Sequence, residues 1–135
     1  MYSTEVKIRV RYAETDQMGY VYYGNYPTYY EVARVEALRS LGMKYKDLEA
    51  NGVMMPALEN YSKYLLPARY DEELTVKVSI PDLPKVKITF LYDIYDEEGK
   101  LIHQGETKLA FINMETGKPV RMPKEMEEVL APFYS

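Results

Sequence analysis

From Thr4 to Tyr12 the chain alternates, with Val6, Ile8 and Val10 apolar at even positions and Glu5, Lys7, Arg9 and Arg11 charged at odd ones. A period of two belongs to a β-strand with one wet face, so this segment predicts the first strand. The period changes near Asn25. Tyr26, Tyr29 or Tyr30, Ala33, Ala37 and Leu41 recur at helical spacing with Leu38 beside them, while Glu31, Arg34, Glu36 and Arg39 fall off that line. The pattern predicts a helix over Asn25–Leu41, with Pro27 in its first turn and Gly42 just past its end. Ala33 and Ala37, one turn apart, leave room for the helix to lie close against a sheet.

Lys44–Asn51 reads as a short second helix stopped by Gly52, and Val53–Pro67 as one long strand with a bend, its prolines tolerable only at the ends or on an edge. Glu73–Ile80 alternates again. Pro81–Pro84 then turns the chain into Lys85–Tyr95, and Asp96–Gly99 closes a hairpin with Lys100–Met114. Glu115–Pro119 ends the sheet, and Pro123–Leu130 reads as a last short helix with Pro in its first position. One long helix followed mostly by sequential antiparallel strands makes an α+β chain rather than a parallel α/β one.

A length of 135 residues fits one domain over positions 1–135, and 47% hydrophobic with 28% charged residues is the composition of a soluble globular protein. No apolar run is long enough to span a bilayer, and Met1–Glu5 carries neither the basic nor the apolar region of a secretory leader, so a cytoplasmic address is expected. Without cysteine and with His103 as the lone histidine, neither a disulfide scaffold nor a metal site is expected, and His103 receives no catalytic role. A net charge of −4 with dispersed lysines argues against nucleic acid as a partner.

The segment Tyr12–Tyr26 is the one that composition does not account for. It holds an acid, Asp16, two glycines that permit a sharp turn or a close approach of backbone, Gly19 and Gly24, and Asn25 where a helix N-cap belongs. All four are also ordinary turn formers. The order Asp16-x-x-Gly19-x-Val21-x-x-x-Asn25-Tyr26, after Val10-Arg11-Tyr12 and before Glu31-Val-Ala33-Arg34, resembles the signature of the hot-dog thioesterases of the 4-hydroxybenzoyl-CoA thioesterase-like superfamily. Tyr64-Leu-Leu-Pro67-Ala-Arg69 resembles that family's second-strand exit, so the likeness spans nearly the whole chain.

The resemblance implies a curved antiparallel sheet of about five strands wrapped around one central helix. It also implies an acyl-CoA thioesterase that needs no cofactor, releasing a carboxylic acid and free coenzyme A, in which Asp16 attacks the thioester carbonyl or activates water against it. Backbone amides where the loop enters the helix, that of Tyr23 first and Gly24 beside it, would stabilise the oxyanion, because N–H groups there lack intrahelical partners. Many bacterial relatives carry His where this chain has Tyr23; Tyr at that place matches the 4-hydroxybenzoyl branch. Asn25 either caps the helix or steers the water or thioester. Gly19, Val21, Tyr22, Gly24 and Tyr26 fall to substrate binding. Glu31 aligns with an acid that faces the acyl group's far end in that branch, and its other reading is an ion pair with Arg34 or a neighbouring strand.

Arg69, Lys85 and Lys87 sit near strand ends where the family binds the nucleotide of coenzyme A, whose phosphates want Arg or Lys. Tyr20, Tyr22, Tyr23, Tyr26, Tyr29 and Tyr30 would form an amphipathic wall for an aromatic or short acyl chain, or for a subunit interface. Family members pair edge to edge, which implies a homodimer and beyond it a homotetramer. The rival readings are a non-catalytic acyl or aromatic binding module, an acyl-carrier-protein thioesterase, and a dehydratase, the last disfavoured because no histidine lies near the motif.

Overall fold

The computed structural model describes residues 1–135. Its strands are β1 (Tyr2–Arg9), β2 (Val53–Met54), β3 (Ala57–Tyr64), β4 (Glu73–Ile80), β5 (Lys87–Tyr95), β6 (Leu101–Ala110) and β7 (Ile112–Asn113). The helices are α1 (Tyr26–Ser40), α2 (Tyr45–Ala50) and α3 (Lys124–Leu130), with single 3-10 turns at Tyr12–Glu14, Tyr23–Asn25 and Ala131–Phe133. Five strands make one antiparallel sheet in the order β1-β4-β5-β6-β3, while β2 and β7 pair apart from it. The long β4, β5 and β6 put alternate residues on the helix side. Leu74, Val76, Val78 and Ile80 of β4 and Ile88, Phe90, Tyr92 and Ile94 of β5 are all buried there.

α1 touches every strand of that sheet. Ser40 meets Tyr2 of β1, Arg34 meets Tyr92 of β5 and Thr107 of β6, Tyr30 meets Ser62 of β3, and the helix also packs on β4. Five flat strands span roughly 19 Å, against roughly 10–12 Å for a helix with its side chains, so such contact requires the sheet to curl around α1. This is the hot-dog arrangement. Tyr26, Tyr29, Tyr30, Ala33, Ala37 and Leu38 form the buried face, as the helical spacing predicts. The helix stops at a paired cap: Gly42, at φ +85°, donates to Arg39 O at 2.9 Å and Met43 to Leu38 O at 2.9 Å, with Met43 and Leu38 both buried.

Some expectations are corrected. The first strand ends at Arg9, not Tyr12, because Val10 leaves the regular ladder to bond Glu72 O and Asp71 N, after which the chain turns. Val53–Pro67 is two strands. β2 pairs with β7 and β3 with β6, and the break falls at Met55-Pro56, where proline offers no N–H. The run after Gly99 divides likewise, at Phe111, which is buried in the core and donates to Val86 O. Pro123 precedes α3 as its N-cap instead of opening it. Arg34 does not lie on the wet face: its guanidinium turns to the sheet and donates to Tyr92 Oη at 3.0 Å and Thr107 Oγ1 at 3.4 Å.

Candidate active site

Between β1 and α1 the backbone makes a tight loop closed at its neck. Thr15 bridges Val21, Asp16 N donates to Tyr20 O at 2.8 Å, and Gly19 N returns to Asp16 O at 3.0 Å. Gly19 has φ +79°, a conformation in which any side chain would be strained. Val21 N donates to Ala68 O at 2.8 Å and Tyr20 bridges Arg69, which ties the loop to the segment leaving β3.

Inside the loop, Asp16 Oδ1 accepts Met18 N at 2.9 Å and Tyr20 N at 3.2 Å. Asp16 is therefore a turn former, as its residue type allows. Its other oxygen, Oδ2, has no protein partner, and the half-buried side chain borders a cleft of about 300 Å³. The remaining wall is almost entirely apolar or aromatic: Met18, Tyr20, Val21, Tyr23, Tyr26 and the run Tyr64–Pro67.

The neighbouring acid has the opposite surroundings. Glu14 Oε1 accepts Arg11 N at 2.9 Å and the Tyr29 hydroxyl at 2.9 Å, and Oε2 accepts Arg11 Nε and Nη2 at 3.1 and 2.9 Å. Burial alone would raise its pKa, but these donors outweigh it and hold the carboxyl below the ordinary glutamate value. Burial and the hydrogen bond to Glu14 together push the Tyr29 hydroxyl up, so it stays a donor. Glu14's own carbonyl accepts Tyr22 N at 2.9 Å and Asn25 Nδ2 at 2.8 Å. One residue thus fastens the start of the loop to its end and to α1.

At the helix entrance Tyr22 N is taken by Glu14 O and Asn25 N by Tyr22 O, while Tyr23 and Gly24 between them donate to no turn or loop carbonyl. Their N–H groups open a 3-10 turn that runs into α1, the place where donors lack partners within the helix. Below, Tyr26 lies stacked on His103 with ring centroids 3.9 Å apart, and Tyr64 stands edge-on to both at 5.6 and 4.9 Å. Burial lowers the His103 pKa to about 4, so the ring is neutral at neutral pH. Burial, with Tyr64 and Glu72 nearby, raises Tyr26 to about 12.

Of the residues singled out from sequence, Asp16, Val21, Tyr23 and Tyr26 meet at this cleft, with Gly19 shaping the loop. Arg69 flanks it, its guanidinium carbon 4.8 Å from the Tyr20 ring centroid. Asn25 stands at the N-cap position of α1, but its side chain makes no capping bond and does not line the cleft; its amide nitrogen donates to Glu14 O instead. Tyr22 packs outside on the Tyr23 ring, 4.6 Å between centroids, and a side chain at Gly24 would run into that Tyr22 ring.

Glu31 is exposed further along α1 beside Thr28 and Val32, and it forms no ion pair with Arg34 or any strand. Lys87 lies opposite Ala110, whereas the cleft adjoins the Tyr64–His103–Ile94 row seven residues away, roughly 24 Å along the strand; Lys85 is beyond it. Tyr29 and Tyr30 leave the tyrosine wall for Glu14 and His103. Sequence reading missed Glu14, Met18, Leu65 and Leu66. The signal for Glu14 was Arg11 three residues before it; for the leucines it was an apolar run between a strand and Pro67 that no strand period claims.

The family model for the thioesterase-like superfamily matches residues 10–130. YneP of Bacillus subtilis (strain 168) is 36% identical over 124 residues, covering 92% of this chain and 90% of its own. The acyl-CoA thioester hydrolase YbgC of Escherichia coli O6:H1 is 29% identical over 119 residues, 88% of this chain and 89% of its own. The crystal structure of a DHNA-CoA thioesterase from Staphylococcus aureus superposes with a TM-score of 0.93 at 33% identity, covering 98% of this chain and 91% of that one.

Proposed function

The chain belongs to the thioesterase-like superfamily and is an acyl-CoA thioester hydrolase, and from that premise we propose that Asp16 carries the reaction. The observation behind this is its one unpartnered oxygen at the edge of an apolar cleft, across a loop whose Tyr23 and Gly24 amides are also unspent. With the acyl group against Val21, Tyr26 and Tyr64, Oδ2 attacks the thioester carbon or draws a proton from an attacking water. The charge that develops on the carbonyl oxygen is taken by the two amides, already oriented by the loop and so requiring little rearrangement. The tetrahedral species then collapses: the C–S bond breaks and coenzyme A leaves as a thiolate that takes up the proton given up by water, and where Oδ2 itself has attacked, a water splits the acyl–Asp16 anhydride and restores the carboxylate. The products are a carboxylic acid and free coenzyme A, and no cofactor takes part.

Arg69 is placed to meet a phosphate of the carrier beside Tyr20. Lys85 and Lys87 could do so only from a second copy. Such a copy has a seat in β3, an eight-residue edge strand that pairs on one side only and is exposed along nearly all its length. A homodimer joined along β3, further paired into a homotetramer in the cytoplasm, is the assembly proposed with this site. No helix is long and apolar enough to cross a membrane. The test is a panel of acyl-CoA esters, aromatic and straight-chain, with thiol release followed by a thiol-reactive dye. Turnover of at least one ester is expected, and release from none of them contradicts the proposal.

A further inference from the structure

His103 sits on β6 under the cleft, takes no part in the chemistry above, and is completely buried. Its ring lies parallel to that of Tyr26, 3° apart in plane at 3.9 Å, and receives the edge of Tyr64 at 78°. Tyr26 and Tyr64 both line the cleft that holds Asp16, and His103 is the single ring touching both from beneath. Nε2 is hydrogen-bonded to the Tyr30 hydroxyl, which also bonds Ser62 Oγ at 2.6 Å, whereas Nδ1 is buried with no partner at all.

Its one hydrogen bond, at Nε2, anchors the ring to Tyr30, while the ring itself meets Tyr26 face to face and Tyr64 edge-on, so the ring is what the cleft wall rests on. Room for the arrangement comes from Gly105, where a Cβ would collide with the Tyr30 ring that braces His103.

We infer that His103 is the positioning residue of the acyl wall: by fixing the Tyr26 ring and the edge-on Tyr64 it sets which acyl groups the cleft discriminates. This rests on the thioesterase reading of the cleft and deepens it. The wall is three rings, Tyr26 and His103 stacked and Tyr64 edge-on to both, with Tyr64 about half exposed. Removing His103 takes away one of the two rings that meet Tyr64 and lets it swing, which alters the fit of the acyl group but not the position of Asp16 or the loop amides, whose bonds involve none of these rings.

The test compares His103→Phe, which keeps a flat ring, with His103→Gln, which keeps a polar partner for Tyr30 but no ring to stack. Each is assayed on an aryl-acyl-CoA and a straight-chain acyl-CoA of matched length. His103→Gln is expected to change the ratio of the two kcat/KM values about five- to tenfold, the size of an aromatic contact, through KM and with kcat held. His103→Phe is expected to keep the wild-type ratio. His103→Leu, which keeps apolar bulk but offers no flat ring, is expected to shift the ratio in the same sense as His103→Gln, and it carries the test if His103→Gln fails to fold.

An unchanged ratio in His103→Gln, or in His103→Leu where His103→Gln fails to fold, or an equal kcat loss on both esters, overturns the inference. Wild-type turnover on the same esters checks the thioesterase reading separately. Should the wild type be inactive, the same ratios are read as dissociation constants by calorimetry.

Discussion

The loop between β1 and α1 carries one acid on each side of Thr15, and it treats them in opposite ways. Before Thr15, Glu14 has both oxygens occupied, by Arg11 and Tyr29, and its backbone carbonyl holds Tyr22 and Asn25. After it, Asp16 commits one oxygen to its own turn and leaves the other at the cleft. A fully satisfied carboxylate has no lone pair left for a substrate and every reason to stay put; a half-satisfied one is oriented yet available. Two acids separated by a single residue are thus divided between holding the loop and acting through it.

Variants that interchange the two behaviours test this division. The largest effect is expected from Asp16→Asn. Asparagine still offers a carbonyl oxygen to Met18 N and Tyr20 N, so the melting temperature should hold, while hydrolysis falls by about a hundredfold or more with the loss of the carboxylate. Steady-state kinetics beside a thermal melt reads both.

Glu14→Ala should do the reverse in emphasis. It strands the partly buried Tyr29 hydroxyl and frees the loop's first turn, and denaturant unfolding is expected to show a loss of about 2 kcal/mol, with activity reduced but not abolished. A smaller effect separates a cap from a tether at Asn25. Aspartate caps helices as well as asparagine does, but it cannot donate to Glu14 O, so Asn25→Asp should cost about 1 kcal/mol by the same assay instead of being neutral.

Much of this was legible in the chain. The helical spacing of Tyr26, Ala33, Ala37 and Leu38, closed by Gly42, gave α1 to within a residue, because a buried face and a positive-φ stop are local demands. The alternation in β1, β4 and β5 was equally local. What escaped depends on partners distant in sequence. Arg34 breaks the wet-face pattern because Tyr92 and Thr107, far along the chain, offer it oxygens under the helix. Asn25 holds the cap position, yet its side chain bonds Glu14 O instead of the helix amides.

Lys85 and Lys87 looked like neighbours of the site because they stand at a strand end, and only the register, which sets Lys87 against Ala110, shows that it is the other end. Asp16 itself was visible from its motif. That one of its oxygens is idle was not, since the Met18 and Tyr20 amides reach it only once Gly19 has turned the loop.

The most direct test of the division is a crystal structure of the Asp16→Asn variant with an intact acyl-CoA bound. The thioester carbon is expected about 3–3.5 Å from the side-chain atom that replaces Oδ2 or from a water held by that atom, with its carbonyl oxygen about 3 Å from the Tyr23 and Gly24 amides. A thioester bound outside the cleft, or one whose carbonyl oxygen points away from those amides, would contradict the role given to Asp16.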